Sequence, residues 1–231
     1  MSRKNTKLIG AAVALVILLV SYGYDNIKEA KLFGNEPKIS QSVKTDTNWK
    51  DLYDHVQVGE KQNVTYKRAE WANPGKTFDG FYIRDAAINK SVWTKSGQVN
   101  KYSIVGTDFQ YEDPYTGNII TKAKRDIEWD HIIPIGYVNS HGGSEWKAET
   151  KNKYYYDLNV GVDVSMPANR SKSDKGPSEY MPAVNKAAYC YTWLVVANEY
   201  KIKVSSDDMK VIKEVLQSSS DKDIHIINAY K

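Results

Sequence analysis

Apolar residues recur at helical spacing near the carboxyl end of the chain, over residues 183–200. Four of them share one helix face because they fall at i, i+4, i+7 and i+11: Tyr189, Trp193, Val196 and Tyr200. A second helix is predicted over about 206–217, where Ser205 and Ser206 precede two aspartates and supply an amino-terminal cap. A shorter helix is predicted from Thr47, in the segment NWKDLYDHV.

The middle of the chain has the pattern of short strands joined by turns. The turn-forming segment PYTG precedes a strand that is predicted to begin at Ile119. Apolar residues over 127–133 predict a second strand that ends near the pair Asp130 and His131. Short strands and loops are also expected over 57–110, where aromatic and alternating pieces are broken by NPG and SG.

After the second strand the pattern becomes polar and then helical again. A long loop is expected over 136–156, which is rich in Gly, Ser, Lys and Tyr. The segment DLNVGVDV over 157–164 predicts a strand or a turn, and a short helix is predicted from near Pro167 to Gly176. This mixed order of strands and helices predicts an α+β fold.

An uncharged apolar run, LIGAAVALVILLV over residues 8–20, follows a basic amino terminus. This is the pattern of a secretory signal or of an uncleaved signal anchor. The run is short for a membrane-spanning helix of about 20 residues, and Ser21 to Tyr24 extend it toward that length. Basic residues on the short amino-terminal side predict that the body lies outside the cell. We therefore expect a single-pass cell-membrane protein attached through residues 8–24, or a secreted one.

Three regions follow from these patterns. Residues 1–24 are expected to form the signal anchor or signal peptide, and residues 25–45 a polar spacer of mixed charge. Residues 46–231 are expected to form one domain, with its core at about 110–180 and supporting helices over 183–217.

Charge and cysteine content limit the chemistry of this domain. Three of the 32 basic residues and none of the 28 acidic ones lie in the first 24 residues, so the rest of the chain is close to neutral. Binding to nucleic acid would therefore depend on a local basic patch. The single cysteine, Cys190, excludes an intramolecular disulfide and a zinc site built from cysteines.

One ordered set of polar residues suits phosphodiester hydrolysis. Asp130 and His131 are adjacent, and on extended backbone adjacent side chains face opposite ways. A neutral histidine can remove a proton from water near pH 7, while a carboxylate holds a cation. Asn169, early in the short helix, offers a neutral amide oxygen. One carboxylate and one amide leave most ligand positions open, which suits Mg²⁺, with Mn²⁺ or another divalent cation as alternatives.

Four motifs along the chain resemble one family of enzymes: DPYTG, RDIEWDHIIP, DLNVGV and SMPANRSKSDKGPSEY. The chain resembles the HNH or His-Me finger (ββα-metal) endonucleases. Its branch is similar to the small secreted bacterial HNH nucleases and to the carboxy-terminal nuclease domain of the GmrSD restriction enzymes. The likeness covers roughly residues 110–200. It implies a ββα-metal core with added helices, preceded here by the signal or transmembrane segment.

The resemblance also implies a role for each matching residue. His131 matches the general base, Asp130 the first metal ligand and Asn169 the second. Asn159 matches the central asparagine that orients the catalytic histidine, although a turn asparagine that bonds its own backbone is the alternative. Three basic residues would contact substrate phosphates: Arg170, Lys172 and Lys175. The last motif residue is asparagine where many members have histidine, and the zinc knuckle of some members is absent.

Further residues near the motif have open roles. Glu128 lies two residues before Asp130, so on a strand it shares that face. It is a candidate to support the metal ligands from behind or to replace one of them. Lys124 and Arg125 belong to a basic run that is either a solvated face or a contact surface for DNA.

These observations predict a function. We expect a metal-dependent endonuclease that hydrolyses double- or single-stranded DNA outside the cell with low sequence specificity. A non-catalytic, membrane-tethered DNA-binding module is one alternative, and a nuclease that prefers RNA is another. No protein partner is inferred.

Overall fold

The structure is a computed structural model that describes residues 48–72, 111–120 and 126–227, all within one compact unit of residues 43–231. The expected signal or anchor segment and the expected spacer lie outside the described residues, as do Lys124 and Arg125. Within the described ranges, no helix is both long enough and apolar enough to cross a membrane.

Two small antiparallel sheets carry the strands of the described residues. Strand β1 (Tyr111–Glu112) pairs with β2 (Ile119–Ile120) across a tight turn. Strand β3 (Ile127–His131) pairs with β4 (Gly161–Ser165), and the register places His131 opposite Gly161. Both predicted strands, from Ile119 and from Ile127, are confirmed.

Six α-helices occur within the described ranges. They are α1 (Trp49–His55), α2 (Ile135–Ser140), α3 (Ala148–Tyr156), α4 (Met166–Lys172), α5 (Lys186–Tyr200) and α6 (Ser206–Ser218). Short 3₁₀ turns lie at Arg68–Glu70, Gly143–Glu145 and Asp221–Asp223. The mixture of helices with small antiparallel sheets makes this an α+β fold. The helices predicted near Thr47, Pro167, 183–200 and 206–217 are confirmed.

The prediction of a long loop over 136–156 is wrong, because α2 and α3 occupy most of this range. Helix α3 buries three consecutive tyrosines, Tyr154 to Tyr156, together with Lys151. Buried positions so close in sequence lie on several sides of the helix and leave no apolar stripe to detect. The short strands expected over 57–110 are not found over 57–72, where an isolated bridge joins Val58 to Val204.

Helix α5 is the centre of the hydrophobic core. Eleven of its fifteen residues are buried, including Trp193 and Leu194, and both α1 and α6 pack against it. A helix covered on most sides belongs to the densely packed interior, from which water is excluded.

Helix α4 packs against both β3 and β4. It begins directly after β4, where the Ser165 side chain accepts a hydrogen bond from the backbone of Ala168 and caps the helix. The buried Asp113 carboxylate accepts hydrogen bonds from Ser165 and from the backbone of Tyr115. The β1–β2 turn, the two long strands and α4 are thus tied together.

Candidate functional site

A cavity of about 1080 Å³ brings together side chains from distant parts of the chain. One wall consists of residues from β3 and α4, including Glu128, Asp130, His131 and Asn169. The start of α2 and the segment 61–68 line the remaining sides. Asp130, His131 and Asn169, which the sequence analysis selected, therefore line a single cavity.

His131 is held at the cavity by residues of α3. Its Nε2 lies 3.0 Å from the carbonyl oxygen of Tyr155, and its ring stacks on Tyr154 with centroids 5.5 Å apart. A carbonyl oxygen can only accept a hydrogen bond, so Nε2 carries the proton. The lone pair of the imidazole is consequently on Nδ1, and this nitrogen is the one that can accept a proton.

The protonation state of His131 follows from its burial. Removal from water lowers the pKa of His131 to about 4, and the nearby cations of Lys172 and Arg68 act in the same direction. The hydrogen bond to the Tyr155 carbonyl opposes this shift. The imidazole is therefore neutral at pH 7, the state that a general base requires.

The Asp130 carboxylate is buried, and each of its oxygens has a strong donor. The Tyr115 hydroxyl donates to Oδ2 at 2.7 Å, and the Lys172 ammonium donates to Oδ1 at 2.9 Å. Burial raises the pKa of Asp130, while Lys172 and Tyr115 act to lower it. A buried carboxylate is costly without such partners, so these two side chains keep Asp130 in place.

Lys172 does not occupy the position that the resemblance implies. Its side chain is fully buried, and its ammonium donates to Asp130 and, at 2.8 Å, to the backbone carbonyl of His131. The last turn of α4 faces β3, so this lysine extends into the protein and away from solvent. In this arrangement Lys172 supports the site from inside and does not reach a substrate phosphate.

Glu128 and Asn169 form a second pair on the cavity wall. The Asn169 amide donates from Nδ2 to Glu128 Oε2 at 2.9 Å, and Arg170 lies 3.6 Å from Glu128 Oε1. This bond uses the amide nitrogen of Asn169, whereas a metal would need its oxygen, Oδ1. The partly exposed carboxylate of Glu128 thereby becomes a candidate ligand beside Asp130.

Three side chains at this wall carry oxygen atoms of the kind that a hard divalent cation prefers. Glu128 and Asp130 alternate along β3 and share one face, and Asn169 adds a neutral oxygen. Each carboxylate oxygen of Asp130 has two lone-pair positions, so one remains on each beside the observed hydrogen bond. Two carboxylates and an amide suit Mg²⁺, which keeps several waters. Within the described ranges, no group of three or more His, Cys, Asp or Glu side chains could hold a metal ion.

Three other residues that the sequence predicted for the site, Asn159, Lys175 and Arg170, do not contact the Asp130 carboxylate in the described hydrogen bonds and ion pairs. The backbone and side-chain nitrogens of Asn159 donate to Asp157 at 2.8 and 3.0 Å, as in a turn, while His131 is oriented by Tyr155. Lys175 is partly buried and donates to the backbone carbonyl of Ser171. Arg170 is exposed at the edge of the site beside Glu128.

Three residues of the site were not assigned from the sequence. Tyr115 belongs to the DPYTG motif, but the motif does not predict that its hydroxyl donates a hydrogen bond to Asp130. Tyr155 lies in a run of tyrosines that predicts core packing equally well. Arg68 lies in the region 57–110, where only short strands and loops were expected, and only the folded chain brings it to the cavity.

Comparisons with known proteins give one distant relative. The chain is 24% identical over 120 residues to a protein of Arthroderma benhamiae that is described as an uncharacterized secreted protein. The similar part covers 50% of this chain and 58% of that protein, so it spans little more than half of the relative. No family model matches the chain. No solved structure matches it either.

The buried position of Lys172 predicts a large effect on stability. Replacing it with methionine (Lys172→Met) leaves the Asp130 carboxylate buried without its cation, which should cost about 3–5 kcal/mol of unfolding free energy. Urea denaturation followed by circular dichroism measures this loss. Lys175→Met is the matched control, because Lys175 lies on the same segment, is only partly buried and donates to a backbone carbonyl. Equal, small losses in both variants would contradict the buried role.

The lowered pKa of His131 predicts a pH dependence of stability. Between its unfolded value of about 6.5 and the folded value of about 4, the unfolded chain binds the proton and the folded one does not. Stability should therefore fall as pH falls below about 6.5, by about 2 kcal/mol from this group at about pH 5.

The measurement is chemical denaturation at neutral and at acidic pH in the presence of a chelator. His131→Gln is the comparison, since its amide can still donate to the Tyr155 carbonyl but does not titrate. The variant should lose about 2 kcal/mol less than the wild-type chain on acidification. An identical loss in both proteins would show that His131 is not the titrating group.

Proposed function

We propose that this chain is an exported, metal-dependent endonuclease that hydrolyses phosphodiester bonds of DNA with low sequence specificity. The observation that carries the proposal is the arrangement at the cavity. A neutral imidazole, His131, lines the same wall as the oxygen donors Glu128, Asp130 and Asn169. Hydrolysis of a phosphodiester needs a base for water and a cation for the charge that develops on phosphorus.

The order of the elements supports an HNH or His-Me finger assignment. Two antiparallel strands, β3 and β4, are followed directly by α4, which packs on both. In the ββα-metal interpretation, β3 supplies Asp130 and the base His131, while α4 supplies Asn169. The four sequence motifs fall on these elements and on the β1–β2 turn.

In the mechanism that we propose, His131 accepts the proton of the attacking water. The Tyr155 carbonyl fixes the tautomer with Nδ1 unprotonated, and burial keeps the ring neutral. Asp130 and Asn169, with Glu128, would hold Mg²⁺ through oxygen atoms. The ion, when bound, would neutralise charge on the phosphate and stabilise the leaving oxygen. Tyr115 and Lys172 keep Asp130 oriented, since both oxygens are hydrogen-bonded.

Two observations support export of the chain. The basic start and the apolar run at residues 8–20 have the pattern of a signal or an anchor. The relative from Arthroderma benhamiae is described as secreted. Both membrane attachment through residues 8–24 and release from the cell agree with a site that acts on DNA outside the cell.

The decisive experiment is an assay of strand cleavage. Full-length protein in mild detergent is incubated with plasmid DNA, and separately with RNA, in Mg²⁺ or in excess chelator. We expect cleavage of DNA in Mg²⁺ and none in chelator. His131→Ala should lower the rate by about 10²–10⁴-fold, the contribution typical of a general base. Gel electrophoresis and initial rates measure the effect.

The chain offers a matched control for this variant. Asp54 and His55 repeat the Asp-His dipeptide on the exposed helix α1, so His55→Ala should retain the wild-type rate. Circular dichroism checks that both variants are folded. Unchanged cleavage by His131→Ala would reject the histidine mechanism. Cleavage of RNA in preference to DNA would favour the ribonuclease alternative, and cleavage of neither would favour a binding module.

A further inference from the structure

The segment 61–68 also lines the cavity, although it lies far along the chain from the catalytic wall that we propose on β3 and α4. The proposed mechanism gives this segment no role. Six of its residues line the cavity: Lys61, Gln62, Asn63, Val64, Tyr66 and Arg68. All of them are exposed, so their side chains are accessible to a ligand. We call residues 61–68 the second wall.

The second wall is fixed to the core near both of its ends. The backbone of Gln62 donates to the carbonyl of Ser140 at 2.8 Å, at the end of α2. The Arg68 guanidinium donates to the Tyr155 hydroxyl at 2.9 Å, on α3. A segment held at both ends presents its side chains to the cavity with little further loss of entropy on binding.

Arg68 is a basic group of this wall that is linked to the proposed base through one residue. Its guanidinium also lies over the Tyr155 ring, and the backbone carbonyl of Tyr155 accepts the hydrogen bond from His131. One residue, Tyr155, thus links the arginine to the histidine. The positive charge is close enough to contribute to the lowered pKa of His131.

Among the described residues, no acidic side chain neutralises the charge of Arg68. In the ranges that the structure describes, no carboxylate forms an ion pair with it, whereas Lys67 pairs with Glu70 at 3.8 Å and Arg170 pairs with Glu128. Its single described hydrogen bond, to a neutral hydroxyl, leaves most of the five guanidinium donors for a ligand. A guanidinium with free donors matches the oxygens of a phosphate.

Asn139 provides an independent sign of a ligand at this cavity. It lines the cavity next to Ser140, is 2% exposed, and its Nδ2 has no hydrogen-bond partner within the described ranges. A buried amide without a partner is unfavourable, and a ligand oxygen that accepts its proton would remove that cost. Tyr66, 40% exposed on the second wall, offers a ring on which a base can stack.

We propose that the second wall is a nucleic-acid-binding subsite in which Arg68 binds a phosphate of the substrate strand and Asn139 donates to the same strand. The inference rests on the proposed function, because it places this strand beside the bond that His131 would cleave. It assigns to Arg68 the phosphate contact that the buried Lys172 does not make. The ligand is a strand with accessible phosphates and bases, so a single strand is the appropriate probe.

The test measures binding apart from cleavage. Full-length protein carrying His131→Ala is titrated into a short fluorescein-labelled oligodeoxythymidine in Mg²⁺, and fluorescence anisotropy gives the Kd at several salt concentrations. Adding Arg68→Gln should weaken binding about tenfold or more, as expected for the loss of a charged hydrogen bond. The slope of log K against log salt should also decrease by about 0.7, the value for one lost phosphate contact with a single strand.

Lys67→Gln is the matched control in the same background. It removes the same charge one residue away, from a lysine that does not line the cavity. Its Kd and salt slope should stay within about twofold of the parent, since surface charge alone contributes little. Equal effects of Lys67→Gln and Arg68→Gln would overturn the inference, because they would reflect only net charge.

A second variant tests the buried donor. Asn139→Leu keeps the volume of the side chain but removes the amide, so the unfolding free energy should not fall as it would for a satisfied buried group. Binding of the oligonucleotide should nevertheless weaken severalfold. Unchanged binding by both Asn139→Leu and Arg68→Gln would overturn the subsite.

The outcomes separate this inference from the proposed function. If the wild-type chain cleaves DNA and Arg68→Gln matches Lys67→Gln in binding and in rate, the subsite is rejected and the nuclease proposal stands. If the wild-type chain binds the strand through Arg68 without cleaving it, the subsite stands and the nuclease proposal fails. No binding by the parent protein rejects the subsite, and the cleavage assay then decides the nuclease proposal by itself.

Discussion

The buried carboxylate of Asp130 is the constraint on which the arrangement of the site depends. A charge removed from water is tolerated only when donors replace its hydration. The donors here come from two distant elements, Tyr115 of the β1–β2 turn and Lys172 of α4. Satisfying one carboxylate therefore fixes the turn and the helix against β3, and this places Asn169 beside Glu128.

The same packing gives the neighbouring histidine its chemistry. His131 follows Asp130 on the strand and meets the tyrosines of α3, which bury the ring and bond its Nε2. Burial lowers the pKa of His131 and keeps it neutral, while the carbonyl selects the nitrogen that can accept a proton. A base and a set of oxygen donors thus arise at one cavity from neighbouring residues of one short strand.

Two basic residues at the site have different roles, and the number of basic residues in the sequence does not reveal which is which. Lys172 is fully buried and stabilises Asp130 from within. Arg68 is exposed, reaches the cavity from another part of the chain and has no described acidic partner. A lysine can extend inward when its ammonium finds a carboxylate, whereas a guanidinium over an aromatic ring keeps donors free for a ligand.

The sequence by itself determined the α+β class, the strands at β2 and β3, and the helices α1, α4, α5 and α6, because periodicity and caps are local signals. It also selected Asp130, His131 and Asn169, which do line one cavity. Only the tertiary structure decided that 136–156 is helical, that Lys172 is buried and that Arg68 faces the site. These features depend on contacts between residues far apart in the chain. A local sequence pattern does not show which distant residues will pack against a given helix or strand.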